Sequence, residues 1–314
     1  MNPLAGVFDD VELGDPVVAT ALSLFPLLAR QERPRAYLTL DEALAGQLLR
    51  ITEVSEHGRV SQLRLRNGGD APVLIVDGEE FVGAKQNRIV NLTILVAGKA
   101  QLDLPVSCVE AGRWHAEGPY FRTAPRAFYA SGRAAKAREV TASLQRTGTA
   151  VSDQRAIWEE IEAKSGRLKA SSPTQACAAV YGRLETELEE LRRLFAPLPG
   201  QVGGVFCLWG VPVGIELFDS PVTWAGLQPK LVASYGVDAY DPAFADVGRV
   251  GYTREAVAAW VSGIRAIPYQ AFPGVGLGTD VRLTGRGLHG GALVWDERVI
   301  HLSVLTTVHA ANAA

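Results

Sequence analysis

The chain has 314 residues, 47% hydrophobic and 21% charged, with a formal net charge of -3. This composition can bury a large core in one domain or two and argues against disorder, while the slightly acidic balance gives no general basic field for nucleic acid. Three cysteines, Cys108, Cys177 and Cys207, stand far apart with no CxxC pair, so neither a disulfide framework nor a thiolate zinc site is indicated.

Residues 1–36 read as an N-terminal extension. Asp9, Asp10, Glu12 and Asp15 precede the apolar stretch "VVATALSLFPLLA", where a secretory leader would carry positive charge. That stretch is too short for a membrane-spanning helix and is interrupted by Pro26. The cysteine usage and this N-terminus together lead us to expect a cytoplasmic protein that neither spans a membrane nor binds nucleic acid.

From Tyr37 to Trp114 short apolar segments alternate with turn residues. Asn67-Gly68-Gly69-Asp70 and Asp77-Gly78 suit turns with positive φ, and Leu102, Leu104, Val106 and Cys108 alternate with polar residues at the period of a half-buried strand. If that strand continues, Glu110 shares the face of Cys108. After Pro125 the stretches "RAAKAREVTASLQ" and "SDQRAIWEEIEA" suit helices. In "SSPTQACAAVYGRLETELEELRRLF", Ser172 can cap, Pro173 suits the first helical position and Gln175 completes a capping box. Val180, Leu184, Leu188, Leu191 and Phe195 then recur at helical spacing until Pro197, Pro199 and Gly200 end the run.

The second half predicts a hairpin at "GVFCLWGVPVGIELF", helices at "SPVTWAGLQPKLVASY" and "TREAVAAWVSGI", and a closing hairpin at "GALVWDERVIHLSVL". Neither half looks complete alone. The expected class is α+β: a β-rich, sandwich- or barrel-like N-terminal half, central helices and a second mixed segment, integrated as one unit over residues 37–305 with a tail at 306–314.

Candidate chemistry concentrates in two strings. "DGEEFVGAKQNRIVN" places Glu79, Glu80, Lys85, Gln86, Asn87, Arg88 and Asn91 amid apolar strand residues. Side-chain amides are poor strand formers and are costly to bury unpaired, so something must satisfy them, either a ligand or local backbone in a turn. Strand alternation puts Gln86 and Arg88 on one face with Val90, and Asn87 on the other with Ile89 and Asn91. "VSCVEAGRWH" places Cys108 and Glu110 two apart, followed by Arg113 and Trp114. That set could supply a nucleophile or acid, an anion clamp and a stacking platform. Cys108 also continues an apolar alternation, which suits a buried structural thiol, and a carboxylate beside it would raise its pKa. Glu110 is the better candidate acid or base. The two strings are predicted to meet in one pocket.

His301 in "RVIHLSVL" suits a satisfied structural histidine. Glu216 in "GIELF" is either an inward carboxylate or the solvent face of an edge strand. The histidines and cysteines lack metal-ligand spacing. No P-loop, dinucleotide fingerprint or GxSxG elbow is present, and no cofactor is named.

The two strings together resemble the domain family named for its association with ADP-ribosylglycohydrolases and the rhodanese-phosphatase superfamily, whose core reads GEE, GAKQNR with a following Asn, SCVE and GRW. The motif block covers Gly78 to Trp114, and a looser likeness including "SDQRAIW" and "VIHLSVL" reaches from about Tyr37 to Leu305. Phe81 and Val82 stand where other members often carry Leu. The resemblance implies a role near NAD or ADP-ribose metabolism and a functional association with ADP-ribosylglycohydrolase and rhodanese or phosphatase proteins.

The leading expectation is an enzyme that hydrolyses or transfers a group on a small nucleotide- or sugar-phosphate-like ligand. In it Glu79, Glu80, Glu110 and Cys108 are candidate catalytic groups, and Lys85, Gln86, Asn87, Arg88, Asn91, Arg113 and Trp114 bind the ligand. A non-catalytic sensor of the same ligand, or an assembly protein with a buried polar network, are the alternatives.

Overall fold

The computed structural model describes all residues except 1–3, 5, 32–33, 56–59, 116–117, 246–252 and 308–314. The described residues form eighteen strands and seven α-helices. The first half comprises β1 (Val11–Leu13), β2 (Val17–Ala19), β3 (Leu22–Ala29), β4 (Leu38–Thr39), α1 (Leu40–Ala45), β5 (Leu49–Glu53), β6 (Gln62–Asn67), β7 (Val73–Ile75), β8 (Glu79–Gly83), β9 (Arg88–Val90), β10 (Ile94–Val96), β11 (Gln101–Cys108) and β12 (Phe121–Ala127). Helices α2 (Ala130–Thr147), α3 (Gln154–Leu168), α4 (Ala178–Arg183) and α5 (Glu185–Leu194) follow. The last part holds β13 (Gln201–Leu208), β14 (Val211–Phe218), α6 (Pro221–Ala239), α7 (Arg254–Ile264), β15 (Tyr269–Pro273), β16 (Thr279–Gly285), β17 (Leu288–Trp295) and β18 (Arg298–Thr306).

The expected α+β class with a β-rich first half is what the chain adopts. β11 ends at Cys108 and buries Leu104, Val106 and Cys108. It sits inside a six-stranded antiparallel sheet of order β12-β8-β9-β11-β6-β5. The two edge strands, β12 and β5, approach each other, so the sheet curls into a half-barrel. Its inner face gathers Ile51, Leu63, Leu65, Phe81, Val90, Leu104 and Val106 into one core. Each such fully buried aliphatic side chain contributes about 1.5–3 kcal/mol. A small sheet of order β10-β7-β4 packs into the same core.

The larger sheet has nine strands, β1-β3-β13-β14-β18-β17-β16-β15 with β2 added to β3. The stretch before Tyr37, set apart in the sequence as an extension, contributes β1, β2 and β3 to it. Both hairpins expected in the second half form, β13 with β14 and β17 with β18. Helix α2 joins the two β regions, packing on β17 and β18 and against α6. α6 begins at Pro221, where the missing N–H costs nothing.

Two local expectations change. The Asn67–Asp70 turn uses no positive φ at Gly68 or Gly69. The Asn67 side chain makes the turn instead, accepting from Gly69 N–H at 2.9 Å and donating to the Ala71 and Ala97 carbonyls. Gly78 does take φ +84, and a Cβ there would lie 2.9 Å from the Arg133 side chain, so conformation and packing both require glycine.

The predicted helix from Pro173 starts later, at Ala178, and is split at Leu184. Ser172 does accept hydrogen bonds, from the N–H groups of Thr174 and Ala176. Gln175 adopts φ +53, however, and Ala176 bridges to Glu110. A capping signal is worth roughly 1 kcal/mol and yields here to a segment that satisfies the second motif. The apolar ladder itself is as expected, with Val180, Leu184, Leu188, Leu191 and Phe195 all buried.

Candidate functional site

Strand direction puts the two motifs at one end of the half-barrel. β5 and β11 run together, with antiparallel β6 between them, and β9 is antiparallel to β11. The ends of β5 and β11 and the start of β9 therefore meet at one mouth, with the β8–β9 turn and the loop after β11. Directly paired residues share a face, and faces alternate with period two. Glu53 pairs with Leu63, Leu63 with Leu104, and Cys108 with Arg88. Glu53, Cys108 and Arg88 thus all belong to the inner face at this mouth.

The predicted meeting of the strings is direct. The Asn87 N–H donates to Glu110 Oε2 at 3.1 Å. Arg113 donates to the same oxygen at 2.7 Å, to Asn87 Oδ1 at 3.1 Å and to the Ala84 carbonyl at 2.7 Å. Thr174 Oγ1 donates to the other oxygen, Glu110 Oε1, at 2.8 Å. Burial alone would raise the Glu110 pKa, but these bonds hold it below the usual carboxylate range. Gln86 donates to the Glu110 carbonyl at 2.8 Å and accepts from Arg88 Nη1 and from the Cys108 thiol, each at 2.9 Å. Sequence alternation paired Gln86 with Arg88 and set Asn87 apart from them, and these contacts agree.

Cys108 lies in this lattice with no exposed surface. Burial pushes its thiol pKa up, against the pull of the neighbouring Arg88 guanidinium. Its backbone is held by Gln154, which donates to the Cys108 carbonyl and accepts from its N–H, each at 2.7 Å. The amide stands in for the strand that β6 no longer provides, since β6 begins opposite Pro105.

Glu79, Glu80 and Asn91 are not brought to this mouth. Adjacent strand residues point to opposite faces, so the two glutamates diverge. Glu79 pairs with Lys230 of α6 at 2.7 Å, and burial, only partly offset by that lysine, raises its pKa. Glu80 takes a bidentate pair with Arg126 at 2.5 and 2.9 Å. Asn91 accepts from Ser107 at 2.6 Å and donates to the Ala150 carbonyl at 2.9 Å.

Arg88 differs from its neighbours. It is fully buried, yet its Nε and Nη2 have no hydrogen-bond partner among the described residues. Both carboxylate oxygens of Glu53 are likewise shut from water and unpartnered among the described residues, while the indole N–H of Trp158 lies against the Cys108 sulfur. Burial lowers the Arg88 pKa while Cys108 and Glu53 pull it upward, and a guanidinium remains charged regardless. Over this spot lies Trp114, 47% exposed, its ring 5.5 Å from the Arg88 guanidinium and 5.3 Å from Lys85 Nζ.

A second polar cluster joins the two β regions through α2. Arg133 pairs with Glu216 at 2.6 Å and with Asp77 at 3.4 Å, and Lys136 pairs with Asp77. His301 Nε2 lies 3.1 Å from Glu216 and its Nδ1 2.8 Å from Thr93 Oγ1. Glu216 is therefore an inward carboxylate, and His301 is a satisfied structural histidine. Among the described residues no group of three His, Cys, Asp or Glu side chains could hold a metal ion, and no helix is long and apolar enough to cross a membrane.

The sequence profile of the ARG and Rhodanese-Phosphatase-superfamily-associated Protein domain matches residues 10–305. The chain belongs to that family. No curated protein and no solved structure matches it significantly. The family match takes in both strings, together with Gln154 and Trp158 from "SDQRAIW". Sequence reasoning missed Glu53, Gln154 and Trp158 as site residues. For the last two the only signal was their place in that familiar string. Glu53 had none, since a single Glu ending a strand looks like a solvated turn.

Proposed function

We propose that the mouth of the half-barrel binds a small nucleotide- or sugar-phosphate-like ligand, with Arg88 taking its anionic group and Trp114 offering a ring face. The observation that carries this reading is the Arg88 guanidinium, buried with two donors unpaired. A buried polar group left unmatched costs about 1–3 kcal/mol, more when charged, so a ligand anion that meets both donors gains that energy on binding. Nε and one Nη of a guanidinium form the fork that fits phosphate or carboxylate bidentately.

The family's name, which ties it to ADP-ribosylglycohydrolases, supports a place beside ADP-ribose chemistry. Three buried free cysteines support a reducing, cytoplasmic setting. Recognition is favoured over hydrolysis or group transfer because Glu79, Glu80 and Glu110 are each committed to an internal cation. Cys108 has a raised pKa as well. A carboxylate bound into an internal ion pair is not free to reach a ligand as acid or base.

The test is titration calorimetry of phosphate, pyrophosphate and ADP-ribose into the wild type and Arg88→Lys, with melting temperatures measured without ligand. Lysine keeps the charge but not the fork, so affinity should fall by about 1–3 kcal/mol, or roughly 5- to 150-fold, with the fold retained. Unchanged affinity with a lowered melting temperature would reduce Arg88 to an internal structural cation.

A further inference from the structure

The unpartnered groups at this mouth are of two opposite kinds. Arg88 Nε and Nη2 are donors, whereas Glu53 Oε1 and Oε2 are acceptors only. Strand pairing puts Glu53 on the face and at the end that carry Arg88, yet the two form no ion pair within 4 Å among the described contacts. A simple anion satisfies the Arg88 side and leaves the Glu53 side unmet. The whole site is matched only by a molecule that is an acceptor at one end and a donor at the other.

We infer that Glu53 is the hydroxyl acceptor of this site, and that the ligand carries a pair of adjacent hydroxyls beside its anionic group, as a phosphorylated pentose does. This inference rests on the binding reading above and narrows its ligand class. Two oxygens of one carboxylate, both free, can accept from two neighbouring hydroxyls at once. An ammonium donor would also suit a carboxylate, but it would enter within the field of the Arg88 cation, whereas hydroxyls carry no charge. The Trp114 ring covers the same spot.

A site built to hydrogen-bond a hydroxyl discriminates strongly against the analogue without it, because its own buried groups are then left unpaired. The distinguishing experiment compares ribose 5-phosphate, 2-deoxyribose 5-phosphate, pyrophosphate and L-serine by calorimetry on the wild type, Glu53→Gln, Glu53→Asp and Arg88→Lys. We expect the ribose compound to bind the wild type at least about tenfold more tightly than its deoxy analogue. Glu53→Gln and Glu53→Asp should shrink that ratio, and Arg88→Lys should weaken pyrophosphate binding.

Glu53 forms no hydrogen bond among the described residues, so Glu53→Asp, which keeps the charge that favours the Arg88 cation, should not lower the melting temperature. That readout separates the inferred role from a scaffolding one, and a marked loss of stability would overturn the inference. Equal affinity for the two sugar phosphates would also overturn it, as a water-filled site would give, while a pyrophosphate affinity that falls in Arg88→Lys would leave the anion site standing. Tight binding of L-serine that is lost in Glu53→Gln would replace the hydroxyl pair by an ammonium. If no phosphorylated compound binds the wild type, both readings fall together.

Discussion

Arg88 and Glu53 share one face and one end of the half-barrel, and neither completes its hydrogen bonding among the described residues. Glu110 and Arg113, in the second motif string, do the opposite. Their 2.7 Å ion pair is closed by Asn87, Thr174 and the Ala84 carbonyl. The contrast separates the motif by role: one pair of residues builds the mouth, and the other is left open to what enters it.

Glu110 should therefore behave as a structural residue. Glu110→Gln breaks a buried, hydrogen-bonded ion pair and leaves Arg113 uncompensated, which costs about 3–5 kcal/mol. A urea titration should show an earlier midpoint at unchanged slope. A catalytic carboxylate held at the same place would instead leave the midpoint nearly unmoved.

Cys108 should be inert while the protein is folded. Its thiol is fully buried with a raised pKa, and the thiolate is the reactive form. Iodoacetamide at neutral pH is expected to label Cys108 only after urea unfolds the chain, followed by peptide mass spectrometry. Stoichiometric labelling of native protein within minutes would restore it as a candidate nucleophile.

Acid should weaken the join between the two β regions. Burial would raise Glu216, but Arg133 and His301 hold its pKa down at about 2, against an ordinary value of 4.5. A carboxylate whose folded pKa is depressed contributes stability that is fully present above the unfolded value. That contribution is lost as pH falls through the folded one. The Glu216 share should thus be intact above pH 4.5 and disappear toward pH 2. Glu216→Gln should be destabilised at neutral pH and show a shallower loss across that acid window, measured as unfolding free energy against pH.

The sequence by itself determined the kinds of element and the pairing of the motif strings. Its alternation placed the strand ending at Cys108, its helical spacing placed the buried ladder from Val180 to Phe195, and its density of amides in an apolar run demanded mutual satisfaction. Those are local properties, set by side-chain period and by the cost of burying an unpaired polar group. The same period parts Glu79 from Glu80, since neighbours in a strand cannot share a face, and the expectation of both as catalytic groups of one site did not use it.

What only the tertiary structure decided was the partner of each charge. Glu79 meets Lys230, 151 residues away, and Arg133 meets Glu216, 83 residues away, because α2 and α6 bring the second β region onto the first. Pro173 and Gln175 look like a helix start, but the chain there turns to bridge Glu110 instead. Glu53 carries no local signal at all. Its importance arises from the curl of six strands that brings its carboxylate to the mouth where Arg88 lies, and a long-range pairing register of that kind is written in no single stretch of sequence.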